Sequence, residues 1–295
     1  MLKLKKFREC SKLKPYKVQE IMFSSYRSSI AYNHPDKLCH ILKNVETPEM
    51  KNEKIKNKIY NTLCQTSDND IKIYPNGFMM WKNNTIYMTF RGIVSSMDWL
   101  TATNMKEIAW DINNHPSALV HGGFLSYFTD INDTIQTDIE TLLREHPIER
   151  IIFSGHSMGG ALAILASTFY SSLFKNLVIT CHTFGAPAIG NDDFIHLFED
   201  NVDEFLRIEY VNDIVPKIPL NDTYLHISNG IVLNEDGYYT CCINRRPMLT
   251  YEDMCECVCF PQNIYKEHNI LKYHNHLEKY IDRLAMEEHG KITSY

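Results

Sequence analysis

The sequence predicts an α/β fold in which a mostly parallel central sheet carries helices on both faces and follows an antiparallel N-terminal meander. Two observations support this prediction. Residues 148–211 alternate between β-prone and helix-prone runs, which is typical of a parallel sheet with helices packed on its faces. Residues 71–92 hold three short β-prone runs separated by turn residues, which is the pattern of an antiparallel meander.

The N-terminal part of the chain is predicted to be a helical segment followed by the meander. Apolar residues recur at helical spacing in residues 17–45, so residues 16–55 are assigned to an N-terminal helical segment. In the meander, Pro75-Asn76-Gly77 and Asn83-Asn84 are turn signals between the β-prone runs. Residues 124–145 place apolar side chains on one helical face, which predicts a further helix.

The rest of the chain continues the alternation and then departs from it. Strands are predicted at 148–155, 176–185 and 203–211, and helices at 161–174, 191–201 and 276–285. Residues 230–270 break the pattern with loop-like sequence rich in cysteine, and they are predicted to be an insertion. Because the sequence has no internal repeat and no Pro/Gly/Ser-rich linker, residues 1–295 are predicted to form a single domain with a basic arm at 1–15.

Composition and charge exclude some classes of function. The 295 residues are 44% hydrophobic and 22% charged, which is ordinary for a soluble domain, and the formal net charge of −6 argues against a nucleic-acid partner. No continuous apolar run is long enough to span a bilayer, so no transmembrane segment is predicted. The basic arm is predicted to be solvated, and the alternative is an amphipathic helix in peripheral contact with anionic lipid.

The cysteines bear on location and on metal binding. Residues 1–15 lack the continuous apolar core of a secretory signal, and nine cysteines without such a signal indicate free thiols in a reducing compartment. We therefore expect a cytoplasmic or otherwise intracellular protein, with peripheral attachment to membranes or lipid particles as an extension of that expectation. The C-x-C-x-C spacing at 255–259 is a poor template for structural zinc, so reduced thiols in an insertion loop are expected there in place of a metal site.

One serine stands between glycines where a β-prone run gives way to a helix-prone one. The sequence IIFSGHSMGGALAILA (151–166) places Ser157 between Gly155 and Gly159. A nucleophilic serine must stand clear of the sheet, and a sharp strand-to-helix turn achieves this while crowding the backbone, which glycines relieve. The following helix would direct its free N–H groups at the site. The pattern predicts a nucleophile at Ser157, and the alternative is a glycine-rich turn that only packs tightly.

An activated serine needs a base and an orienting acid, expected in the chain order Ser, Asp or Glu, His. Asp213 follows a predicted strand and precedes two prolines, although aspartate is common in turns without a catalytic role. Periodicity does not select among the downstream histidines, which are His226, His268, His274, His276 and His289. His276 opens the predicted C-terminal helix, and His274 is its rival.

Several ordered blocks of sequence resemble the fungal-type class 3 lipase family, an α/β-hydrolase group of triacylglycerol lipases and related esterases. The blocks are FRGIVSSMDWL (90–100), VHGGF (120–124), GHSMGGALA (155–163), TFGAPAIGNDDF (183–194), NDIVPKIP (212–219) and, more weakly, NHLEKY (275–280). They follow the family order and span roughly residues 60 to 285. The resemblance implies the α/β-hydrolase fold.

The resemblance also implies roles for individual residues. Ser157 would be the nucleophile, Asp213 the orienting acid and His276 the base, because the family histidine is often followed by leucine and then an aromatic residue. The oxyanion hole would use the backbone N–H groups of Met158 and Ile93. Many family members carry Ser or Thr at the position of Ile93, whose hydroxyl adds a contact that isoleucine cannot make. Reduced or altered activity is expected from this departure.

Two further regions receive predictions from the same resemblance. Residues 94–110 occupy the place of a lid or its hinge, with Met97, Trp99 and Leu100 as candidates for its apolar face, although Trp99 is expected to pack in the core. His121 and His156 are expected to play structural roles beside the site.

The predicted function is that of a serine ester hydrolase acting on triacylglycerol or another acylglycerol through an acyl-enzyme. This chemistry needs neither a metal nor an organic cofactor, so none is expected. One alternative keeps the same site but assigns it phospholipids or lysophospholipids, as a phospholipase A or lysophospholipase. A second alternative, from another functional class, is a catalytically inactive hydrolase fold that serves as a binding protein. The intact set of serine, aspartate and histidine candidates argues against this last reading.

Overall fold

A computed structural model of the protein describes residues 15–33, 37, 71–93, 106–112, 115–219, 223–228, 230–236, 239–242 and 266–288. The strands are β1 (Ile71–Tyr74), β2 (Gly77–Lys82), β3 (Thr85–Phe90), β4 (Glu107–Trp110), β5 (His115–His121), β6 (Arg150–His156), β7 (Val178–Phe184), β8 (Glu204–Tyr210), β9 (Gly230–Leu233) and β10 (Tyr239–Cys242). The α-helices are α1 (Pro15–Ile30), α2 (Gly122–Glu145), α3 (Met158–Leu173), α4 (Asp192–Asn201) and α5 (Ile270–Glu288).

The central sheet has the predicted mixed character. Its strand order is β1-β2-β3-β6-β7-β8-β9-β10. The first three strands pair antiparallel, the run from β3 through β9 pairs parallel, and β10 returns antiparallel to β9. The predicted meander at the N-terminal end of the sheet and the predicted parallel strands are therefore confirmed. The carboxyl ends of the parallel strands meet along one edge, where ligands bind in open α/β sheets.

Helices cover both faces of the sheet, as predicted. On one face, α1 and α5 pack against each other and bury side chains such as Tyr26, Ile208 and Tyr273. On the other face, α2, α3 and α4 enclose a second core that contains Phe128, Phe153 and many small apolar residues of α3. The helix α3 is buried along most of its length because it lies between the sheet and the neighbouring helices. The central sheet is therefore supported by packed helices on both of its faces.

Three elements differ from the sequence prediction. A separate antiparallel pair forms from β4 and β5. The region from residue 230 was predicted as a loop, but its start forms the β9–β10 hairpin. The C-terminal helix begins at Ile270 and not at residue 276, because Asn269 caps it: the Asn269 side chain accepts a hydrogen bond from the Leu271 N–H over 2.9 Å.

Some predictions fall outside the described residues. These are residues 1–14 of the basic arm predicted at 1–15, the lid candidates Met97, Trp99 and Leu100, and the cysteines at 255–259. Among the helices in the described ranges, none combines the length and the apolar character needed to cross a membrane.

Candidate active site

Ser157 sits at the turn between β6 and α3, at the carboxyl edge of the sheet. Its φ of 60° and ψ of −131° are unusual for a residue with a side chain and indicate a strained turn. Gly155 and Gly159 permit this turn, because a Cβ on Gly155 would lie 2.1 Å from the Gly159 carbonyl oxygen, and a Cβ on Gly159 would lie 2.4 Å from the Phe90 carbonyl oxygen. The turn thus has the close backbone approach that the sequence predicted for a nucleophile elbow.

The backbone around Ser157 is anchored to the sheet and to the helix. The Ser157 N–H donates to the Phe184 carbonyl at the end of β7 over 2.9 Å, and the Ser157 carbonyl accepts from the Gly160 N–H over 2.9 Å. Met158 is the first residue of α3 and is buried, so its N–H lies at the positive end of the helix dipole. The predicted oxyanion donor Met158 is therefore next to Ser157 at a helix N-terminus.

Asp213 follows β8 and is almost fully buried, with 1% of its surface exposed. Its Oδ1 accepts from the Val215 N–H over 2.9 Å. Its Oδ2 accepts from the Tyr273 hydroxyl over 2.5 Å and contacts His268 Nδ1 at 2.7 Å. Both carboxylate oxygens therefore have hydrogen-bond partners, and such partners stabilise a buried carboxylate.

His268 is the imidazole that meets Asp213. An ionised carboxylate only accepts hydrogen bonds, so His268 Nδ1 carries the proton and Nε2 keeps a lone pair. Within the described part of the chain, the buried Nε2 atom has no hydrogen-bond partner. A ring nitrogen held in this tautomer and left without a partner is suited to accept a proton from a serine hydroxyl.

The predicted pairing of Asp213 with His276 is corrected by this geometry. Because α5 begins at Ile270, His276 lies inside the helix, and its ring stacks on Tyr210 with centroids 4.7 Å apart. Burial lowers the pKa of His276, and nearby lysines contribute to the same shift. His274, the rival candidate, contacts Ser25 Oγ at 3.0 Å, and burial lowers its pKa to about 4. Neither histidine is the partner of Asp213.

Two other predicted histidines have structural positions. His121 caps α2, since its side chain accepts from the Phe124 N–H. His226 is buried and contacts the Pro216 carbonyl through Nε2 at 2.5 Å, which ties it to the loop after Asp213. The remaining candidate, His289, lies outside the described residues.

The predicted oxyanion loop, which comprises Arg91, Gly92 and Ile93 after β3, lies next to the elbow. Arg91 donates through its N–H to the Asn76 carbonyl and through Nε to the Pro75 carbonyl, so the β1–β2 turn fixes the strand end. Gly92 touches the elbow, because a Cβ added there would lie 2.9 Å from Ser157 Cβ. Ile93 comes next and packs against the core through its half-buried side chain. The structure therefore brings the segment that contains Ile93 to Ser157.

His156 and Tyr32 form a hydrogen-bonded pair next to Gly92 and Ser157. The sequence analysis did not predict this pair. The Tyr32 oxygen lies 2.7 Å from His156 Nδ1 and accepts from the Gly92 N–H over 3.1 Å. The ring of His156 stacks on that of His268, with centroids 4.5 Å apart and planes 27° from parallel. Burial, together with the neighbouring His268, lowers the pKa of His156 well below its ordinary value.

A sequence signal for His268 existed. Ile270, Tyr273, Leu277 and Tyr280 recur at helical spacing and are all buried, and Asn269 is a favourable N-cap residue. These residues indicate a helix from position 270 and leave His268 on the loop just before it. Among the described residues, no group of three His, Cys, Asp or Glu side chains is arranged to hold a metal ion.

The sheet order, the flanking helices and the strained serine turn together define the α/β-hydrolase fold. Residues 87–223 match the family model described as "Lipase (class 3)". This segment is similar to the class 3 lipase family, as the ordered sequence blocks predicted.

Individual relatives agree with this assignment. A triacylglycerol lipase of Arabidopsis thaliana is 38% identical over 116 residues, which cover 36% of this chain and 22% of the relative. A chloroplastic phospholipase A(1) of Arabidopsis thaliana is 29% identical over 151 residues, covering 45% of this chain and 33% of the relative. The chain thus aligns with about a third or less of the length of these two relatives.

A solved structure agrees over a longer stretch. It is that of a triacylglycerol lipase whose catalytic centre is a serine protease triad, and it superposes with a TM-score of 0.60 at 19% identity. The superposition covers 88% of this chain and 94% of that structure. At this level of identity, the likeness establishes the fold.

Proposed function

We propose that the protein is a serine ester hydrolase that cleaves carboxylic esters of lipids, with acylglycerols as the substrate class. The observation that carries the proposal is the contact between Asp213 and His268, whose ring stacks on His156, the residue directly before the serine on the strained turn. In this proposal Ser157 is the nucleophile, His268 the general base and Asp213 the orienting acid. The named activities of the relatives, lipase and phospholipase A(1), support an ester bond as the target.

The first half of the reaction forms an acyl-enzyme. Ser157 Oγ attacks the ester carbonyl carbon while its proton passes to His268 Nε2, and the carbonyl electron pair becomes an oxyanion. The backbone N–H groups of Met158 and Ile93 would hold this oxyanion. The intermediate then expels the alcohol, which takes the proton from His268, and the acyl group remains on Ser157.

The second half releases the acid. Water attacks the acyl carbonyl and gives its proton to His268 Nε2, and the second tetrahedral intermediate breaks its bond to Ser157 Oγ. The proton on His268 returns to that oxygen, and the fatty acid leaves. The imidazolium formed in each half faces the Asp213 carboxylate, which stabilises the positive charge.

Labelling by a fluorophosphonate probe tests this proposal, because the probe reacts only with an activated serine. We expect the wild type to be labelled and Ser157→Ala to be unlabelled. The matched control is Ser154→Ala, which removes a buried serine of the preceding strand β6 that hydrogen-bonds to Thr89. Absence of labelling in the wild type, in detergent as well as in buffer, would contradict the proposal and favour an inactive hydrolase fold.

Phospholipids are a second candidate substrate class, and one observation favours them: a phospholipase A(1) is among the relatives. Fatty-acid release from triacylglycerol and from phospholipid, compared at equal interfacial area, separates the two candidates. Faster release from triacylglycerol supports the acylglycerol assignment. Faster release of fatty acid from phospholipid would show that the same triad acts on phospholipids.

A further inference from the structure

A single hydroxyl group connects the oxyanion loop to the nucleophile elbow. Tyr32 follows α1, and its oxygen lies 3.1 Å from the Gly92 nitrogen and 2.7 Å from His156 Nδ1. Gly92 directly precedes the predicted oxyanion residue Ile93, and His156 directly precedes Ser157. Tyr32 therefore contacts both segments that would surround the ester carbonyl.

The hydrogen bonds of the Tyr32 oxygen favour one tautomer of His156. The Gly92 N–H can only donate, so the Tyr32 oxygen accepts from it and directs its own proton elsewhere. His156 Nδ1 is in position to accept that proton, which leaves the His156 proton on Nε2. Burial also raises the pKa of Tyr32 above its ordinary value, so the phenol keeps its proton.

The tautomer matters because His156 lies against the proposed base. The His156 ring stacks on His268 with centroids 4.5 Å apart. His156 must be neutral for His268 to become an imidazolium during the reaction, since two stacked cations would repel each other. An acceptor Nδ1 held by the Tyr32 hydroxyl favours the neutral form of His156.

Packing leaves little freedom at this junction. A Cβ on Gly92 would lie 2.2 Å from the Tyr32 oxygen and 2.9 Å from the His156 carbonyl oxygen. The oxyanion loop is thus in contact with Tyr32 on one side and with the elbow on the other. Loss of the Tyr32 hydroxyl would remove the partner of the Gly92 N–H, while the Gly92 carbonyl would keep its hydrogen bond from the Arg91 side chain.

We propose that Tyr32 is a positioning residue, whose hydroxyl holds the oxyanion loop through Gly92 and orients a neutral His156 beneath the base His268. This inference rests on the proposed ester hydrolysis. The oxyanion exists only in the transition state and in the tetrahedral intermediates, so loosening its donors lowers kcat and leaves KM nearly unchanged. Complete loss of an oxyanion donor costs roughly 100-fold or more, and we expect a displaced donor to cost roughly tenfold.

The test compares Tyr32→Phe with Tyr170→Phe on a soluble short-chain ester. Tyr170 is a matched control because its buried hydroxyl donates to Asn132 from the far end of α3. We expect Tyr32→Phe to lower kcat roughly tenfold with KM unchanged, and Tyr170→Phe to alter only thermal stability. An undiminished kcat in Tyr32→Phe, or an equal loss in Tyr170→Phe, would overturn the assignment.

Nitrogen NMR of the resting protein provides a readout that a merely structural role would not change. The ring signals of His156, assigned with His156→Gln, should show an acceptor Nδ1 and a protonated Nε2 in the wild type. In Tyr32→Phe we expect the Nδ1 shift to move away from that of a hydrogen-bonded acceptor. A protonated Nδ1 in the wild type, or identical His156 signals in both proteins, would contradict the proposed hydrogen bond.

Failure of this inference can be told apart from failure of the proposed function. If the wild type hydrolyses no ester and takes no fluorophosphonate label, the proposed function fails and the inference falls with it. If the wild type is active and Tyr32→Phe matches it in kcat, only the role of Tyr32 is refuted.

Discussion

His268 Nδ1 lies 2.7 Å from Asp213 Oδ2, although 55 positions separate the two residues in the sequence. The contact forms because Asp213 follows β8 at the carboxyl edge of the sheet, and His268 precedes α5, which packs across the neighbouring strands β8 and β9. Tyr273, one turn into α5, donates to the same carboxylate oxygen. The proposed acid and the proposed base are therefore held together by a helix that begins six residues earlier than the sequence analysis predicted.

Replacing the acid should remove most of the activity without unfolding the protein. In Asp213→Asn the side-chain amide can donate a hydrogen bond, which favours the wrong tautomer of His268. We expect kcat to fall roughly 10⁴-fold, as it does for the equivalent change in serine proteases. Steady-state ester hydrolysis measures the loss, with Asp203→Asn as the control because its carboxylate caps the Ile179 N–H instead. Activity within tenfold of the wild type would argue against the role of Asp213.

The Tyr273 hydroxyl should contribute to the position of the Asp213 carboxylate. Its 2.5 Å hydrogen bond is made to a charged group, a class that contributes about 1.5–3 kcal/mol. We expect Tyr273→Phe to lower kcat by at least about tenfold, because the carboxylate loses one of the groups that fix its rotation. Tyr210→Phe is the control, since its hydroxyl donates to Glu235 and not to Asp213. Equal kcat values for the two variants would refute this prediction.

The elbow glycine should be intolerant of even one added methyl group. In Gly155→Ala, the new Cβ would meet the Gly159 carbonyl oxygen at 2.1 Å, so backbone has to move. We expect the free energy of unfolding to fall by about 2 kcal/mol or more, as overpacking of a rigid site does. Urea unfolding measures it against Gly230→Ala, whose Cβ would meet only the end of the Arg207 side chain, at 3.0 Å. A Gly155→Ala protein as stable as the wild type would contradict the tight elbow.

Stability should decrease on acidification through buried neutral histidines. Burial lowers the pKa of His274 to about 4, so the unfolded chain binds a proton below its ordinary pKa of 6.5 while the folded protein does not. The free energy of unfolding is therefore unaffected by this group above pH 6.5 and decreases as the pH falls from 6.5 toward 4. The slope from one histidine is at most about 1.4 kcal/mol per pH unit.

A variant that cannot titrate isolates this contribution. We expect His274→Gln to flatten the decrease between pH 6.5 and 4 relative to the wild type, even if it lowers stability at pH 7. Urea unfolding at half-unit pH steps provides the comparison. His146→Gln is the control, because His146 ends α2 away from the α1–α5 contact. Parallel curves for the wild type and His274→Gln would refute the assignment.

The sequence predicted the fold and the elbow because both depend on local pattern. Strand and helix alternation through residues 148–211 defines the parallel sheet, and Gly155 and Gly159 mark a turn with no room for side chains. Asp213 could be selected as a candidate from the sequence in the same way, because it follows a clearly predicted strand. The hairpin β9–β10 was missed because each strand has only four residues, too few for a periodic signal, and a cysteine-rich stretch follows.

The proposed base was missed because its position depends on tertiary contact and not on periodicity. A histidine followed by leucine at the apparent start of a helix favoured His276, whereas the helix begins six residues earlier at Ile270. Only packing of α5 across β8 reveals that the residue before the cap faces Asp213. The contacts of Tyr32 could not be predicted from the sequence either, because Gly92 lies 60 positions and His156 lies 124 positions further along the chain.

The central claim is that His268, and not His276, is the base that activates Ser157. Ester hydrolysis by purified His268→Gln and His276→Gln, measured beside the wild type, tests it most directly. We predict a loss of roughly 10⁴-fold to 10⁶-fold in kcat for His268→Gln and near wild-type turnover for His276→Gln. An active His268→Gln protein together with an inactive His276→Gln protein would contradict the account.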